Sequence, residues 1–306
     1  MSIIEKAVNK LTNDPIEPNR IVQKKDSENV SQVFGAVVAE ADRVSGHRFS
    51  NTKEASDENQ SVEESANETV KIDLKLLRKE QVALVNDDNP RLDEELRMIK
   101  RRLLVNAAGL GDTSIEKGNL IMVTSSVPDE GKTFIAINLA LSIAREIDRR
   151  VMLIDADVAK SDTTKNFGLS DKPGLTELLT GESSFNEVLV NTDIEGLTIL
   201  PTGKKVNNVT ELISSNRMAD LINDLSSRYK DRIIIFDCPP ILVTSEAPVL
   251  ASLVGQVAFV VRAGETKEKE FVSAIERLDH SKYVGLILNQ SDEESGSSYY
   301  GYYHKS

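Results

Sequence analysis

From residue 119 onward the chain alternates between two kinds of apolar pattern. Short, nearly unbroken apolar runs rich in β-branched residues recur at 119–124 (NLIMVT), 150–155 (RVMLID), 197–203 (LTILPTG), 232–237 (RIIIFD), 257–262 (VAFVVR) and 284–289 (VGLILN). Runs that are apolar on both faces mark strands covered on both sides. Between them lie stretches such as TFIAINLALSIAREI (133–147) and MADLINDLSSRY (218–229), whose apolar residues return at helical spacing. The alternation predicts an α/β fold, a doubly wound, mainly parallel sheet with helices on both faces. Sheets of this kind bind ligands outside the carboxyl ends of their strands.

Upstream the pattern changes. Residues 70–84 (VKIDLKLLRKEQVAL) and 91–109 (RLDEELRMIKRRLLVNAAG) both have helical periodicity. Residues 50–69 (SNTKEASDENQSVEESANET) are polar, acidic and almost without large apolar side chains, which reads as a disordered linker. Ile3, Ile4, Ala7, Val8 and Leu11 fall on one stripe of a short amphipathic helix that packs on its own domain or on a partner. The expected organisation is a helical, partly disordered N-terminal region over 1–85, the sheet domain over 86–292 and a flexible tail over 293–306.

Charge and composition narrow the picture. The formal net charge of -12 disfavours a protein that coats nucleic acid. The lone Cys238 excludes an internal disulfide framework and suits a reducing compartment. No apolar run approaches the roughly 20 residues that cross a bilayer, and the first residues contain no secretory apolar core. The expected location is the cytoplasm. His47, His280 and His304 have no spacing of a metal-ligand set. Four of the six tyrosines, Tyr299, Tyr300, Tyr302 and Tyr303, crowd into the last residues, SSYYGYYHKS. A short Gly- and Ser-flanked tail cannot bury four rings by itself, so either it docks as an anchor or its hydroxyls are used.

The chemistry concentrates at the strand ends. VTSSVPDEGKTF (123–134) follows the first strand and opens a helix. Ser126, Val127, Pro128, Asp129, Glu130, Gly131, Lys132, Thr133 and Phe134 read as a phosphate-binding loop with Ser126 in the first glycine position. Backbone N–H groups and the helix N-terminus would face the phosphates, Lys132 would reach their oxygens, and the Thr133 hydroxyl would complete a Mg²⁺ shell. Asp155 ends the second strand, Asp157 follows it, and Asp237 ends another apolar strand. Around Mg²⁺ and ATP, Asp237 would hold the metal through water, Asp157 would orient its hydration shell, and Asp155 would accept a proton from an attacking hydroxyl. Each acid taken singly also reads as a cap or turn residue.

TSSVPDEGKT, LIDAD, IIIFDCPP and the tyrosine-rich tail together resemble the bacterial tyrosine kinases of exopolysaccharide synthesis. MSIIEKAVNKL, IDLKLLRKEQVAL and EELRMIKRRLL are similar to the autokinases of exosortase-type polysaccharide loci within that family. The resemblance implies a P-loop NTPase fold and an ATP- and Mg²⁺-dependent autokinase, with Lys132, Thr133, Asp155, Asp157 and Asp237 in the roles above. It makes the four tail tyrosines the phosphoacceptors of a neighbouring subunit, and places Asn289, at the end of the last strand, against the adenine. Glu94, Arg97 and Lys100, spaced E-x-x-R-x-x-K, fall where the family makes its ring contact, with Lys in place of the family's final Arg. A homo-oligomer, a membrane chain-length-determinant protein as activator and recruiter to the membrane, and a protein-tyrosine phosphatase are the implied partners. The related partitioning ATPases carry a lysine where this chain has Val127. A partitioning-type ATPase switch and a non-catalytic nucleotide-sensing module are the two alternatives.

Overall fold

The computed structural model describes residues 69–79, 82, 90–111, 114–279 and 282–291. The helix expected at 3–11, the linker up to 68, His47, His280, His304 and the four tail tyrosines lie outside the described residues.

Seven strands form one sheet in the order β3-β4-β2-β5-β1-β6-β7. They are β1 (Leu120–Ser125), β2 (Arg150–Asp155), β3 (Val190–Asn191), β4 (Leu197–Leu200), β5 (Arg232–Asp237), β6 (Gln256–Arg262) and β7 (Tyr283–Asn289). All pairings are parallel except β3 with β4. The six expected strands are present, with ends moved by up to three residues; β4 stops at Leu200 because Pro201 has no N–H for the ladder. β3 was not foreseen, since a two-residue antiparallel edge leaves no periodic signal. β1 and β5 are buried along almost their whole length, as strands covered on both faces must be.

Helices α1 (Leu74–Lys79), α2 (Pro90–Ala107) and α3 (Lys132–Ala144) precede or follow β1. The helix expected over 70–84 begins only at Leu74. Val70 instead extends the sheet edge, its N–H donating to Asn191 O at 2.9 Å and its carbonyl accepting from Asp193 N at 3.1 Å. Asp73 Oδ1 accepts the N–H groups of Lys75 and Leu76, both at 3.0 Å, and so caps α1 at that point. Ile72 and Leu77 are buried in the same core as α2, α3 and the sheet. The packed unit therefore starts upstream of the boundary expected at 86.

α3 is apolar almost all round, and ten of its thirteen residues are buried; such a helix must lie inside a domain. α2 is amphipathic and sets Leu96, Lys100, Leu103 and Asn106 inward. Lys100 corrects the expectation of a single outward face with Glu94 and Arg97. Each three-residue step on a helix falls about 60° short of a full turn, so Lys100 has rotated about 120° from Glu94 toward the core. Its Nζ donates to Ser142 O at 3.1 Å and pairs with Glu146 at 2.8 Å, anchoring α2 to the carboxyl end of α3. Glu94 and Arg97 pair with each other at 2.7 Å and stay exposed. Lys100→Ala is expected to lower the unfolding free energy by about 1–2 kcal/mol, against at most about 1 kcal/mol for Glu94→Ala. Urea denaturation of both variants checks this, and equal losses would refute the anchoring role.

A candidate active site at the carboxyl edge of the sheet

β1 lies inside the sheet, and the connections leave it in both directions: β2 lies beyond β5 on one side, β6 on the other. The crevice at such a reversal is where open sheets bind ligands. The loop leaving β1 here runs from Ser126 to Gly131. Asp129 and Gly131 both take left-handed backbone, with φ of 65° and 93°, and α3 starts directly after Gly131. A Cβ on Gly131 would overlap the Asn289 amide nitrogen, so the glycine is required both by its φ and by close approach.

Register sets the carboxylates. β2 and β5 are parallel neighbours with Asp155 directly opposite Asp237, so the two acids end their strands side by side. Both are fully buried. Asp155 Oδ2 accepts the Thr164 N–H at 2.8 Å and the Thr164 hydroxyl at 2.7 Å, while Oδ1 accepts the Asp157 N–H at 3.2 Å. Burial lifts the Asp155 carboxyl above the ordinary carboxylate range against the pull of Thr164. Asp237 Oδ2 accepts the Thr163 hydroxyl at 2.8 Å, and Oδ1 is buried without a hydrogen-bond partner. Burial and the adjacent Asp155 raise Asp237 to about 7, with Lys132 and the Thr163 and Thr133 hydroxyls acting in the opposite direction.

Lys132 is the cation of this cluster. Its Nζ lies 3.2 Å from Asp157 Oδ2, and both side chains are almost fully enclosed. Ser126 Oγ is also buried without a hydrogen-bond partner. Lys160 pairs with Asp129 at 3.0 Å across the mouth of the loop. A cleft of about 320 Å³ lined by Val82, Thr133, Phe134, Asp162, Lys165 and Asn166 opens beside α3.

The structure thus brings Lys132, Asp155, Asp157 and Asp237 together beside the loop, with Thr133 next to them. Glu94 and Arg97 stand apart on α2. Asn289 is brought to the loop from the end of β7, but its Nδ2 donates to Glu130 O at 3.0 Å, which ties the side chain to the loop backbone. Val127 N–H is used inside the loop, donating to Glu130 Oε2 at 2.9 Å, and does not face outward. Cys238 is a small buried core residue, its thiol pushed up chiefly by burial. Sequence reasoning missed Thr163 and Thr164, the residues that hold Asp237 and Asp155. The adjacent threonines of SDTTK after the aspartates were the available signal, but Thr163 lies 74 residues from Asp237 and nothing local links them.

A parallel sheet with a lysine-bearing loop at the helix N-terminus after β1, and in-register aspartates on the neighbouring strand ends, defines a P-loop nucleotide-binding domain of the NTPase type. A family model described as an AAA domain matches residues 120–253. The tyrosine-protein kinase YwqD of Bacillus subtilis is 35% identical over 185 residues, which cover 60% of this chain and 76% of that protein. The tyrosine-protein kinase ptk of Acinetobacter johnsonii is 36% identical over 184 residues, 60% of this chain and 25% of that protein. The kinase domain of the Escherichia coli tyrosine kinase ETK superposes with a TM-score of 0.59 at 32% identity, covering 70% of this chain and 83% of that domain. The chain belongs to the bacterial tyrosine-protein kinase family. It spans about a quarter of the length of the Acinetobacter relative. Among the described residues no helix is long and apolar enough to cross a membrane.

Proposed function

We propose that the protein is an ATP-dependent protein-tyrosine autokinase. It phosphorylates C-terminal tyrosines of neighbouring subunits and so regulates exopolysaccharide synthesis, chain length or export, in an exosortase-type locus. The observation that carries this reading is the buried Lys132–Asp157 pair beside the in-register Asp155 and Asp237, in a chain of tyrosine-kinase descent.

Among the described residues no three His, Cys, Asp or Glu side chains form an all-protein metal cage. Mg²⁺ that accompanies a nucleotide needs only one or two carboxylates besides phosphates and water. The site fits that demand, because Asp237 presents a buried carboxylate oxygen without a partner. Thr133, Asp157 and Asp237 would hold Mg²⁺, which when bound neutralises phosphate charge. Lys132 and the outward N–H groups of the loop would bind the phosphates of ATP. In doing so Lys132 exchanges Asp157 for phosphate oxygens and frees that carboxylate for the cation. Asn289 would contribute to the adenine side with its remaining amide proton and carbonyl.

The transfer forms a bond from a tyrosine oxygen to the γ-phosphorus and breaks the bond to the bridging oxygen, so that ADP departs with the electron pair. The phenolic proton passes to Asp155. Oδ1, which accepts the Asp157 N–H, is the oxygen turned away from Thr164, while Thr164 fixes the carboxylate plane through Oδ2. The cleft beside Thr133 and Lys165 would admit the tyrosine segment. Tyr299, Tyr300, Tyr302 and Tyr303 are the proposed acceptors, the Glu94–Arg97 pair a contact in a ring-shaped homo-oligomer, and 293–306 the substrate segment. The partners we propose are a membrane chain-length-determinant protein, which activates the enzyme and brings it from the cytoplasm to the membrane, and a protein-tyrosine phosphatase, which resets it.

Intact-mass spectrometry before and after incubation with Mg²⁺-ATP tests the reading. Successive single-phosphate increments mapped to the C-terminal peptide are expected. ATP turnover with an unmodified tail, both alone and with the activator's cytosolic segment added, would sink it.

A further inference from the structure

A buried carboxylate is out of place in a loop built to attract phosphate. Glu130 sits inside that loop with a side chain that is 2% exposed. Its Oε2 accepts the Val127 N–H at 2.9 Å, and its Oε1 accepts the Thr266 hydroxyl. Thr266 Oγ1 in turn accepts the N–H of Arg262, the last residue of β6, at 2.9 Å. The Glu130 carbonyl accepts from Asn289, the last residue of β7, at 3.0 Å, and the Asn289 carbonyl accepts the Ala263 N–H at 2.9 Å.

We propose that Glu130 is a positioning residue which, with Thr266 and Asn289, holds the phosphate loop in its binding curvature and bolts it to the carboxyl ends of β6 and β7. The loop needs such a brace. Asp129 is held left-handed at φ 65°, a conformation whose Cβ crowding carries a cost that glycine escapes. The Glu130 bonds close the 127–130 turn and offset that cost. The carboxylate also opposes phosphate binding by its charge, so its two roles predict opposite effects when the charge is removed. If the brace dominates, a neutral residue weakens nucleotide binding; if charge dominates, it strengthens binding. Because only one oxygen of glutamine can accept, Glu130→Gln cannot serve both Val127 and Thr266 as acceptor.

The inference rests on the nucleotide-site reading, and one calorimetric series separates the two. Mg²⁺-ADP is titrated into the full-length wild type, Glu130→Gln, Thr266→Val, Thr266→Ser and the Glu130→Gln/Thr266→Val double variant. Melting without nucleotide reports whether each is folded. We expect Glu130→Gln to weaken ADP by about tenfold, in the range of one charge-assisted hydrogen bond. Thr266→Val should weaken it about fivefold, Thr266→Ser should restore near-wild-type affinity, and the double variant should be no weaker than Glu130→Gln alone, because both changes break one connection. Unchanged or tighter binding by folded Glu130→Gln, or independent losses in the double variant, would overturn the brace. If Glu130→Gln does not fold, the valine and serine variants carry the decision. A wild type that binds no ADP would remove the nucleotide reading and the brace with it.

Discussion

Lys132→Met is expected to lower tail phosphorylation by about 10³-fold or more, the scale on which removal of a preorganised charge donor acts. It should also destabilise the protein in the absence of nucleotide. The ammonium is enclosed with Asp157 at 3.2 Å, and Asp237 feels it as well. Removing it strands Asp157 and Asp237, two neighbouring buried acids, without their cation. Breaking one side of a buried pair costs about 3–5 kcal/mol, part of which protonation of Asp237 will relieve. Methionine keeps the length and packing of the stem, so the loss reads as charge and not as a cavity. Phosphotyrosine by intact mass and urea denaturation of the unliganded protein give the two numbers. Tail phosphorylation within tenfold of wild type would dismiss Lys132 as the phosphate cation.

Asp237→Asn is expected to separate stability from activity in the opposite sense. Transfer should fall by about 10²–10³-fold, because the proposed metal carboxylate is gone, while the unliganded protein in EDTA should become more stable at pH 8. The sign follows from the raised pKa. Asp237 titrates at about 7 in the folded protein, against 3.8 for an ordinary carboxyl. Between those values the folded state holds a proton that the unfolded state has lost. Ionisation therefore penalises folding in full above about pH 7, and the penalty is relieved as pH falls from there toward 3.8. The wild type should accordingly unfold more readily at pH 8 than at pH 6, by about 1 kcal/mol from this group. The asparagine variant, which cannot ionise there, should lose most of that dependence. Thermal melts of both proteins at the two pH values decide it; a destabilised Asp237→Asn with the wild-type pH profile would show that the buried charge is not the source.

The strands were legible because a strand covered on both faces must be apolar at successive positions, and β1, β2, β5 and β6 carry that mark in their own residues; β7 carries it too, yet as an edge strand it leaves Leu286 and Leu288 exposed, so there the expectation of cover on both faces was wrong. The phosphate loop was legible because its parts are contiguous: β1, Gly131, Lys132 and α3 follow one another within twenty-five residues of chain. The errors have a common physical origin. Residues 70–73 look helical only if Asp73 is read as an interior residue and not as the cap it forms. Lys100 looks like a surface charge until α3 supplies Ser142 and Glu146. Glu130 looks like one more loop residue until β6 delivers Thr266 from 136 positions away.

By itself, then, the sequence determined the class of fold, the loop and which carboxylates end apolar strands, since each of these depends on residues within a turn or a strand of one another. The tertiary structure alone decided which side chains face which: strand order set β2 beside β5, register put Asp155 opposite Asp237, and the return of β6 and β7 beside β1 carried Thr266 and Asn289 to the loop. Those contacts join segments distant in the chain, and only the packing of the sheet brings their atoms within hydrogen-bonding distance.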